Sequence, residues 1–433
     1  MPDNTHVDIM IAEEERHHEP AGEVLDSQVL RDGGAQFAAQ LGWLPGTPAS
    51  STFRERCRRL ASALKPLFAA VEATPSHAPL SADFRWLRDN IPLAYSEMLN
   101  VTTELKPLRR LPHARARKGE IVPRVLAFAQ AFLDLADNSF NEQGFTSFCQ
   151  AFQETTVLDL RELWALVPAL KLILLERIAA RGRCLVKDPT SDAFAVGVCI
   201  RSLRDVTHAS WKAVLEPLVR FDEILRQDPA GAYPHMDFES RDLYRDRLSK
   251  IARHSDLTEM EVAREALALA QLAHGKAYRD ARIAQRESHI GFYLLGKGVA
   301  ALYQRVGFMP SFVEKLRDSL ARHPDEFFLP GIAILTFAII TGILLFLTPR
   351  ESTPGLVLLS MLFLLLPSSQ SAVQVMNYLV TTLLPAQILP KLDFSDGIPA
   401  DCVTSRNFTG IAAGTFSGAA GDSSAREYCP CSP

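Results

Sequence analysis

The sequence predicts an all-α protein, a multi-helix cytoplasmic bundle followed by a transmembrane helical hairpin. Residues 25–326 carry apolar side chains at three- and four-residue spacing, without the alternation typical of strands. Residues 327–390 carry charge only at Arg350 and Glu351. We therefore divide the chain into a disordered tail (1–24), a helical domain (25–326), a membrane part (327–385) and a linker with an irregular tail (386–433).

Composition excludes some functional classes. The 433 residues carry a net charge of −4 and are 47% hydrophobic, which leaves room for one large or two ordinary domains beside the membrane part. This near-neutral balance gives no basic footprint, so no nucleic-acid partner is expected. The seven cysteines form no CxxC pair, which is typical of a reducing compartment. Cys149 and Cys199 lie in apolar helical runs and are expected to be small core residues.

Several helices of the predicted bundle have clear start signals. Thr52 is an expected cap for a helix over residues 53–73. Ser81 is expected to open another helix, with Pro92 inside its pattern. Pro123 precedes a third, which is predicted to run to residue 136.

Two capping boxes give the strongest start signals. Residues 159–162 open an apolar run to Leu175, which Lys171 interrupts, so we predict a core helix kinked at its proline and not a membrane span. Residues 258–261 open an alanine-rich helix to about Ala284. Further helices are expected near 191–204, 207–227, 238–254, 289–306 and 311–322.

The hairpin is predicted from two apolar segments. Phe327 to Leu347 is 21 residues without a charge, and a helix needs about 20 to cross a ~30 Å hydrocarbon core. Fourteen of these residues are Leu, Ile or Phe, which favours insertion. The second run, Gly355 to Leu366, has only 12 residues. Its helix either continues through Pro367 to about Asn377 or ends there and is followed by an interfacial helix.

A hairpin places both flanks of the membrane part on the same side of the membrane. Three basic residues (315, 317 and 322) precede it and Lys391 follows it, against Arg350 alone in the turn. By the positive-inside rule both flanks are then cytoplasmic. The first 20 residues are acidic and polar, so no cleavable signal peptide is expected.

The sequence lacks the common catalytic motifs. It contains no GxGxxG, Walker loop, HExxH, GxSxG or Asp-x-Asp. Gly296-Lys297-Gly298 follows a helical pattern, so a tight helix end is expected there and not a phosphate loop. Cys429-Pro430-Cys431 lacks the second pair that a metal site would need. We therefore expect no cofactor, metal or catalytic residue in this chain.

The densest polar stretch is residues 233–245. It is extended before Asp237 and helical after it, which puts Arg241 and Arg245 one turn apart and able to hold the same carboxylate or phosphate. Either the stretch is a structural network that joins this loop to a neighbouring helix, with Asp237 as the cap, or it is a contact surface. The candidate contact residues are Tyr233, His235, Arg241, Tyr244 and Arg245.

Seven short stretches, taken in order, carry a family resemblance. They are Trp86-Leu-Arg-Asp-Asn90, Pro123-Arg-Val-Leu-Ala127, residues 155–164, Met236-Asp-Phe-Glu-Ser-Arg-Asp-Leu-Tyr-Arg245, Leu257-Thr-Glu-Met-Glu-Val-Ala263, His289-Ile-Gly-Phe-Tyr-Leu-Leu295 and Leu389-Pro-Lys-Leu-Asp-Phe-Ser-Asp-Gly-Ile-Pro399. As a set they resemble the N-terminal part of bacterial cyclic β-1,2-glucan synthases.

That resemblance implies a place in a much larger enzyme. The family consists of multi-pass inner-membrane proteins in which a glycosyltransferase domain elongates a protein-linked β-1,2-glucan from UDP-glucose, and a phosphorylase-like domain adjusts its length before cyclisation. UDP-glucose and a divalent metal are thus implied for the full-length family only. The implied partners of this chain are membrane lipid, the family's transferase domain and glucan, the last two at the candidate contact residues.

The chain departs from the family after about Asp401. A stretch rich in Gly, Ala, Ser and Thr, with three cysteines, stands where the family has a hydrophobic strand. We interpret this tail as a truncated or frame-shifted reading of a longer gene, and the chain as the membrane-anchoring and scaffolding part of a synthase. The alternative is a free-standing, non-enzymatic membrane scaffold that binds partner proteins. A soluble helical enzyme is a third interpretation, weakened because no acid–base pair stands at helical spacing.

Overall fold

The structure is a computed structural model. It describes residues 27–44, 51–75, 79–105, 111–115, 121–193, 195–310, 324–347, 354–383 and 389–393. The predicted tail (1–24), the predicted helix over 311–322 and the cysteines at 402, 429 and 431 lie outside the described residues.

Seventeen α-helices make up most of the described chain, which confirms the all-α prediction. Fifteen of them precede residue 310: α1 (Ser27–Gln40), α2 (Ser51–Glu72), α3 (Ala82–Asp89), α4 (Ile91–Glu104), α5 (Arg124–Leu135), α6 (Glu142–Thr155), α7 (Leu160–Lys187), α8 (Val196–His208), α9 (Trp211–Leu215), α10 (Asp222–Leu225), α11 (Phe238–Arg253), α12 (Glu259–His274), α13 (Ala281–Ser288), α14 (Gly291–Leu294) and α15 (Val299–Val306). Two short 3₁₀ turns, Glu216–Leu218 and Tyr233–His235, follow α9 and precede α11.

Most helix starts follow the predicted caps, but Thr52 is not a cap, because α2 already begins at Ser51 and Thr52 lies in its first turn. The Ser81 hydroxyl accepts a hydrogen bond from the Phe84 amide at 3.1 Å and so caps α3. At α12, Thr258 accepts from the Glu261 amide at 3.3 Å, and the Glu261 carboxylate accepts from the Thr258 amide at 2.8 Å. A capping box also opens α7, as predicted.

Four predicted helices are more divided in the structure than the sequence indicates. The one expected near 289–306 consists of the two helices α14 and α15. The helix expected through Pro92 breaks at Asn90, and Pro92 lies in the first turn of α4, where proline costs no hydrogen bond. The alanine-rich helix α12 ends at His274, well before residue 284, and α13 starts separately after Asp280. The region 207–227 contains the end of α8, two short helices and a 3₁₀ turn.

Helix α7 is the centre of the bundle. Helices α2, α3, α4, α5, α8 and α11 all pack on it. Its apolar run is buried, so the prediction of a core helix is confirmed, although the helix extends to Lys187 and not only to Leu175. Lys171 lies inside this run, and its ammonium pairs with the buried Glu97 carboxylate of α4 at 2.8 Å. The charge that appeared to interrupt the pattern is therefore compensated inside the core.

An aromatic cluster joins α1, α5 and α6. The Phe128 ring lies edge-on to Phe148 and Phe152, with centroids 5.0 and 5.1 Å apart. Phe37 of α1 stacks on Phe152 at 5.9 Å. Helix α1 can approach α6 this closely because residue 34 is glycine: a Cβ there would lie 2.3 Å from the Phe148 carbonyl oxygen. This packing fixes α1 on one side of the bundle.

A small antiparallel sheet is an addition to the predicted fold. Its strands are β1 (Gly42–Leu44), β2 (His113–Arg115) and β3 (Ile121–Pro123), in the order β1-β2-β3. Trp43 pairs with Ala114, and Ala114 pairs with Val122. Strands of three residues are too short to give a readable alternation, which is why the sequence pattern did not indicate them.

The membrane part consists of two long apolar helices, Pro324–Leu347 and Pro354–Leu383. Both are long and apolar enough to cross a membrane. The second helix continues through Pro367 and beyond Asn377, so the continuous alternative applies and the separate interfacial helix does not. These two helices are called the hairpin below.

The hairpin helices contact each other along a narrow seam. Ser368, Ala372 and Met376 of the second helix are buried at four-residue spacing, as are Thr336 and Ile340 of the first. A Cβ on Gly331 would lie 2.2 Å from the Met376 Cε atom, so glycine permits close approach there. Most other large side chains of the hairpin are exposed, as expected for surfaces that face lipid.

Candidate functional site

The polar stretch 233–245 forms a 3₁₀ turn followed by the start of α11. The Asp237 carboxylate accepts a hydrogen bond from the Ser240 amide at 2.8 Å, so Asp237 is the cap of α11, as predicted. This hydrogen bond lowers the pKa of Asp237. The turn and cap aim α11 so that its first two turns face the segment 216–228.

Arg241 and Arg245 hold the same carboxylate, which belongs to Glu216. The Glu216 Oε1 atom accepts from Arg241 Nε at 2.9 Å and from Arg245 Nη2 at 2.8 Å. Arg245 Nε also donates to Asp222 Oδ1 at 2.8 Å. The Arg245 side chain is 2% exposed, so this ion pair is shielded from water. We call Glu216, Asp222, Tyr233, Arg241 and Arg245 the Arg245 network.

The Arg245 network keeps its acids ionised. Burial opposes the charged form of Asp222, but hydrogen bonds from Arg245, Tyr233 and Arg226 outweigh it and lower the pKa of Asp222. Burial likewise opposes ionisation of Glu216, and the two arginines again lower its pKa. Burial raises the pKa of Tyr233, whose hydroxyl donates to Asp222. The arrangement is a satisfied network of charges and not a reactive pair.

A second set of contacts links Asp228, His289 and Tyr244. His289 Nδ1 lies 2.7 Å from Asp228 Oδ2, and His289 Nε2 lies 3.0 Å from the Tyr244 hydroxyl. A hydroxyl on a His–Asp pair is how many enzymes activate a nucleophile. Here Tyr244 is buried, and burial raises its pKa to about 12. The hydroxyl is therefore enclosed by the surrounding chain and has no access to a substrate.

Asp228 is held by backbone as well as by His289. Its Oδ1 accepts from the Ile290 amide at 2.8 Å. Burial opposes the ionised form of Asp228, but the hydrogen bonds from His289 and from the Ile290 amide outweigh it and lower the pKa of Asp228. A Cβ on Gly291 would lie 2.3 Å from the Tyr244 hydroxyl oxygen, so only glycine fits beside this contact. Each of these features fastens the turn before α14 to α11.

The segment that follows the hairpin returns to the same place. The Asp237 amide donates to the Lys391 carbonyl at 3.1 Å, and the Asp393 amide donates to the His235 carbonyl at 2.8 Å. The Lys391 amide donates to the Ser240 hydroxyl at 2.7 Å. The two backbone bonds form an antiparallel bridge between Met236 and Leu392, and the bond to Ser240 reinforces it. We call residues 389–393 the return segment.

Another buried polar cluster joins α5, α7 and α12. Arg124 Nε donates to Glu162 Oε1 at 2.8 Å, with both side chains buried. The Leu160 amide, in the first turn of α7, donates to Glu259 Oε2 at 3.0 Å. Burial, together with the charges of Asp159 and Glu162, raises the pKa of Glu259 to about 7. Glu259 is thus a buried acid that gains charge near neutral pH.

Glu259 predicts a stability that falls as the pH rises. Its folded pKa of about 7 lies above the usual glutamate value of 4.5, so the folded state binds an extra proton between these two pH values. Ionisation above pH 7 then costs up to about 3 kcal/mol. Glu259→Gln keeps an acceptor for Leu160, so we expect a similar free energy of unfolding to the parent at pH 4.5 and a higher one at pH 8. Denaturant unfolding at both pH values measures this, with the exposed Glu72→Gln as control. A parent no less stable than Glu259→Gln at pH 8 would contradict it.

The structure separates the five sequence-predicted contact residues into two groups. Tyr233, Tyr244 and Arg245 are buried, with their polar groups bonded inside the domain. His235 is exposed and Arg241 is half-buried, at the edge where the return segment lies. The surface that remains for a ligand or domain contact is therefore this edge.

The partners of these residues were not visible in the sequence. Glu216, Asp222 and Asp228 lie in short turns and helices of the divided region 207–227 and just after it, where no periodic pattern assigns a face. His289 lies 61 residues from Asp228. Only the family resemblance could have indicated that these residues belong together, because His289 and the stretch 236–245 both lie in stretches that carry it.

Most stretches that carry the resemblance contact one another. The stretch 236–245 is bonded to the return segment and to His289. The stretch 155–164 is bonded to Arg124 and to Glu259, which lie in two further quoted stretches. Six of the seven stretches therefore mark connections within the domain and not an open reaction centre.

The comparisons agree with this resemblance. The sequence is similar to the cyclic beta-(1,2)-glucan synthase NdvB of Rhizobium meliloti (strain 1021), with 25% identity over 436 residues. The aligned region covers 81% of this chain but 15% of that protein, so the chain spans only a small part of its relative. No family model matches the chain. The chain is thus similar to a short region of a glucan synthase, as its seven stretches predicted.

Proposed function

We propose that this chain is the membrane-anchoring and orienting part of a cyclic β-1,2-glucan synthase. The observation that carries the proposal is the return segment. After the hairpin, the chain is hydrogen-bonded to the turn and cap of α11, so whatever follows residue 393 leaves from the helical domain. A transferase domain attached there would start at a fixed position relative to both the bundle and the membrane.

The chemistry would belong to the rest of the synthase. In the family that the chain resembles, the glycosyltransferase domain takes glucose from UDP-glucose with a divalent metal. We propose that the binding sites for both lie outside this region. The exposed His235 and the half-buried Arg241 stand beside the return segment. We propose this edge as the contact with the transferase domain or with its growing glucan.

The proposed topology puts both flanks of the hairpin in the cytoplasm of a bacterium, with the inner membrane as the anchoring bilayer. Cys184 is an exposed native thiol in α7, whereas Cys57, Cys149 and Cys199 are buried. With the cysteines at 402, 429 and 431 changed to serine, a membrane-impermeant maleimide should label Cys184 only after spheroplasts are lysed.

Two introduced thiols complete the topology test in a Cys184→Ser background. Leu389→Cys, whose parent side chain is 76% exposed, should also be labelled only after lysis. Ser352→Cys, between the hairpin helices, should be labelled in intact spheroplasts. Labelling of Cys184 in intact spheroplasts, or different sidedness for residues 184 and 389, would contradict the proposed topology.

A further inference from the structure

A large cleft lies away from the Arg245 network, where α1 and α2 diverge. Helix α1 packs chiefly on α6, and α2 packs chiefly on α7. The space between them has a volume of about 970 Å³ and is also bordered by α5 and by strands β2 and β3. Ligand sites commonly measure roughly 300–1,000 Å³, so the cleft has room for a molecule of several sugar rings' size.

The charges that line the cleft balance. Three arginines and three carboxylates border it: Arg56, Arg59, Arg115, Glu55, Asp134 and Glu176. Each carboxylate already pairs with an arginine: Glu55 with Arg59, Glu176 with Arg56, and Asp134 with Arg177. Because Asp134 pairs with Arg177 from outside the lining, one arginine, Arg115, has no carboxylate partner in the described part of the cleft. A single exposed cation is a weak site for a phosphate or an acidic peptide, so the cleft favours a neutral polar ligand.

Donors remain available for such a ligand. Two of them are Arg115 and Gln130, which border the cleft. Arg115 and Gln130 are exposed, and neither side chain has a hydrogen bond or ion pair among the residues that the structure describes. The N–H groups of an amide or a guanidinium lie in one plane, so they can donate hydrogen bonds to neighbouring hydroxyls of a ligand.

The floor of the cleft is apolar. Phe37 and Leu126 border it, and the exposed Ile121 lies at its edge. A sugar ring has apolar C–H faces and hydroxyls around its rim, so it matches an apolar floor with planar polar walls. We infer that this cleft binds a neutral oligosaccharide, specifically a linear stretch of glucan. The identity of the sugar rests on the proposed function, whereas the ligand class rests on the lining.

A binding measurement with the full chain tests this inference. The 433-residue protein is placed in lipid nanodiscs, free of sugar-based detergent, and titrated with a linear β-1,2-linked gluco-oligosaccharide by calorimetry. We expect saturable binding that UDP-glucose does not compete. Arg115→Ala and Gln130→Ala should each weaken it several-fold, and the double variant more than tenfold, because each removes an uncommitted donor.

Matched controls keep the test specific. Arg183→Ala on α7 and Gln143→Ala on α6 remove exposed side chains of the same kinds outside the cleft lining, and they should leave the affinity within twofold. Thermal unfolding of all four single variants should match the parent.

Three results would overturn the inference: no binding, binding that the cleft variants leave unchanged, or competition by UDP-glucose. If binding fails while the sidedness of Cys184 and residue 389 is as proposed, the cleft inference fails and the anchoring proposal stands.

Discussion

Arg245→Met should lower the free energy of unfolding by about 3 kcal/mol, because it removes the buried cation that Asp222 shares with the half-buried Glu216 and leaves them only Arg226 and Arg241. Arg245 donates to both Asp222 and Glu216 from a position that is 2% exposed. Methionine fills much of the same volume, so the loss measures the uncompensated charge and not a cavity. Denaturant unfolding of the full chain, followed by near-ultraviolet circular dichroism, gives the value.

A second substitution separates charge from packing. Asp222→Asn in the Arg245→Met background removes one uncompensated carboxylate, so part of the lost stability should return. The exposed Arg264→Met on α12 is the matched control and should change stability by less than about 0.5 kcal/mol. A loss below 1 kcal/mol for Arg245→Met would mean that the Arg245 network is not a structural connection.

Removal of the hairpin should move the protein almost completely from the membrane to the soluble fraction. Fourteen Leu, Ile and Phe residues between 327 and 347 contribute roughly 4–8 kcal/mol of insertion free energy for the first helix alone. Since about 1.4 kcal/mol is a tenfold change, this favours the membrane by at least about a thousandfold. A chain truncated after residue 323 should therefore stay in the supernatant after a carbonate wash.

The control for that truncation retains the hairpin. A chain that ends at residue 393 keeps both apolar helices and the return segment, and it should sediment with membranes as the full chain does. Release of the full chain by carbonate would contradict the hairpin as an anchor. It would favour a peripheral association instead.

Features that depend on neighbouring residues, such as helix starts and long apolar helices, could be predicted from the sequence. Helix starts at Ser81, Asp237 and Thr258 follow from a short polar side chain before an apolar run, and the structure confirms each of them. The first helix of the hairpin follows from uninterrupted apolar length alone, whereas the continuation of the second through Pro367 was left open by its 12-residue run. Such signals need only a few neighbouring residues, so they can be read without knowing the fold.

Contacts between distant residues could not be predicted in the same way. The spacing of Arg241 and Arg245 indicated one shared acid, but nothing in the sequence identified Glu216 as that acid. Arg124 pairs with Glu162, 38 residues away, for the same reason of packing and not of pattern. The return segment pairs with α11 across about 150 residues. These long-range pairs depend on how the helices pack, which no local period encodes.

Burial also decided which candidate residues could act. Tyr233, Tyr244 and Arg245 are types that often bind ligands, and the sequence could not distinguish a surface tyrosine from a buried one. In the structure, the chain's own carboxylates and His289 satisfy all three. The cleft beside α1 was missed because its lining comes from five helices and from a sheet whose strands are too short to predict from sequence.

The most direct test of the proposed function is immunoprecipitation from native membranes with an antibody against residues 27–310. If the chain is the anchoring part of a glucan synthase, the precipitate should contain a band far above 47.9 kDa and should convert labelled UDP-glucose into β-1,2-glucan. A band at 47.9 kDa without glucan synthesis in the precipitate would contradict this and would identify a free-standing membrane scaffold.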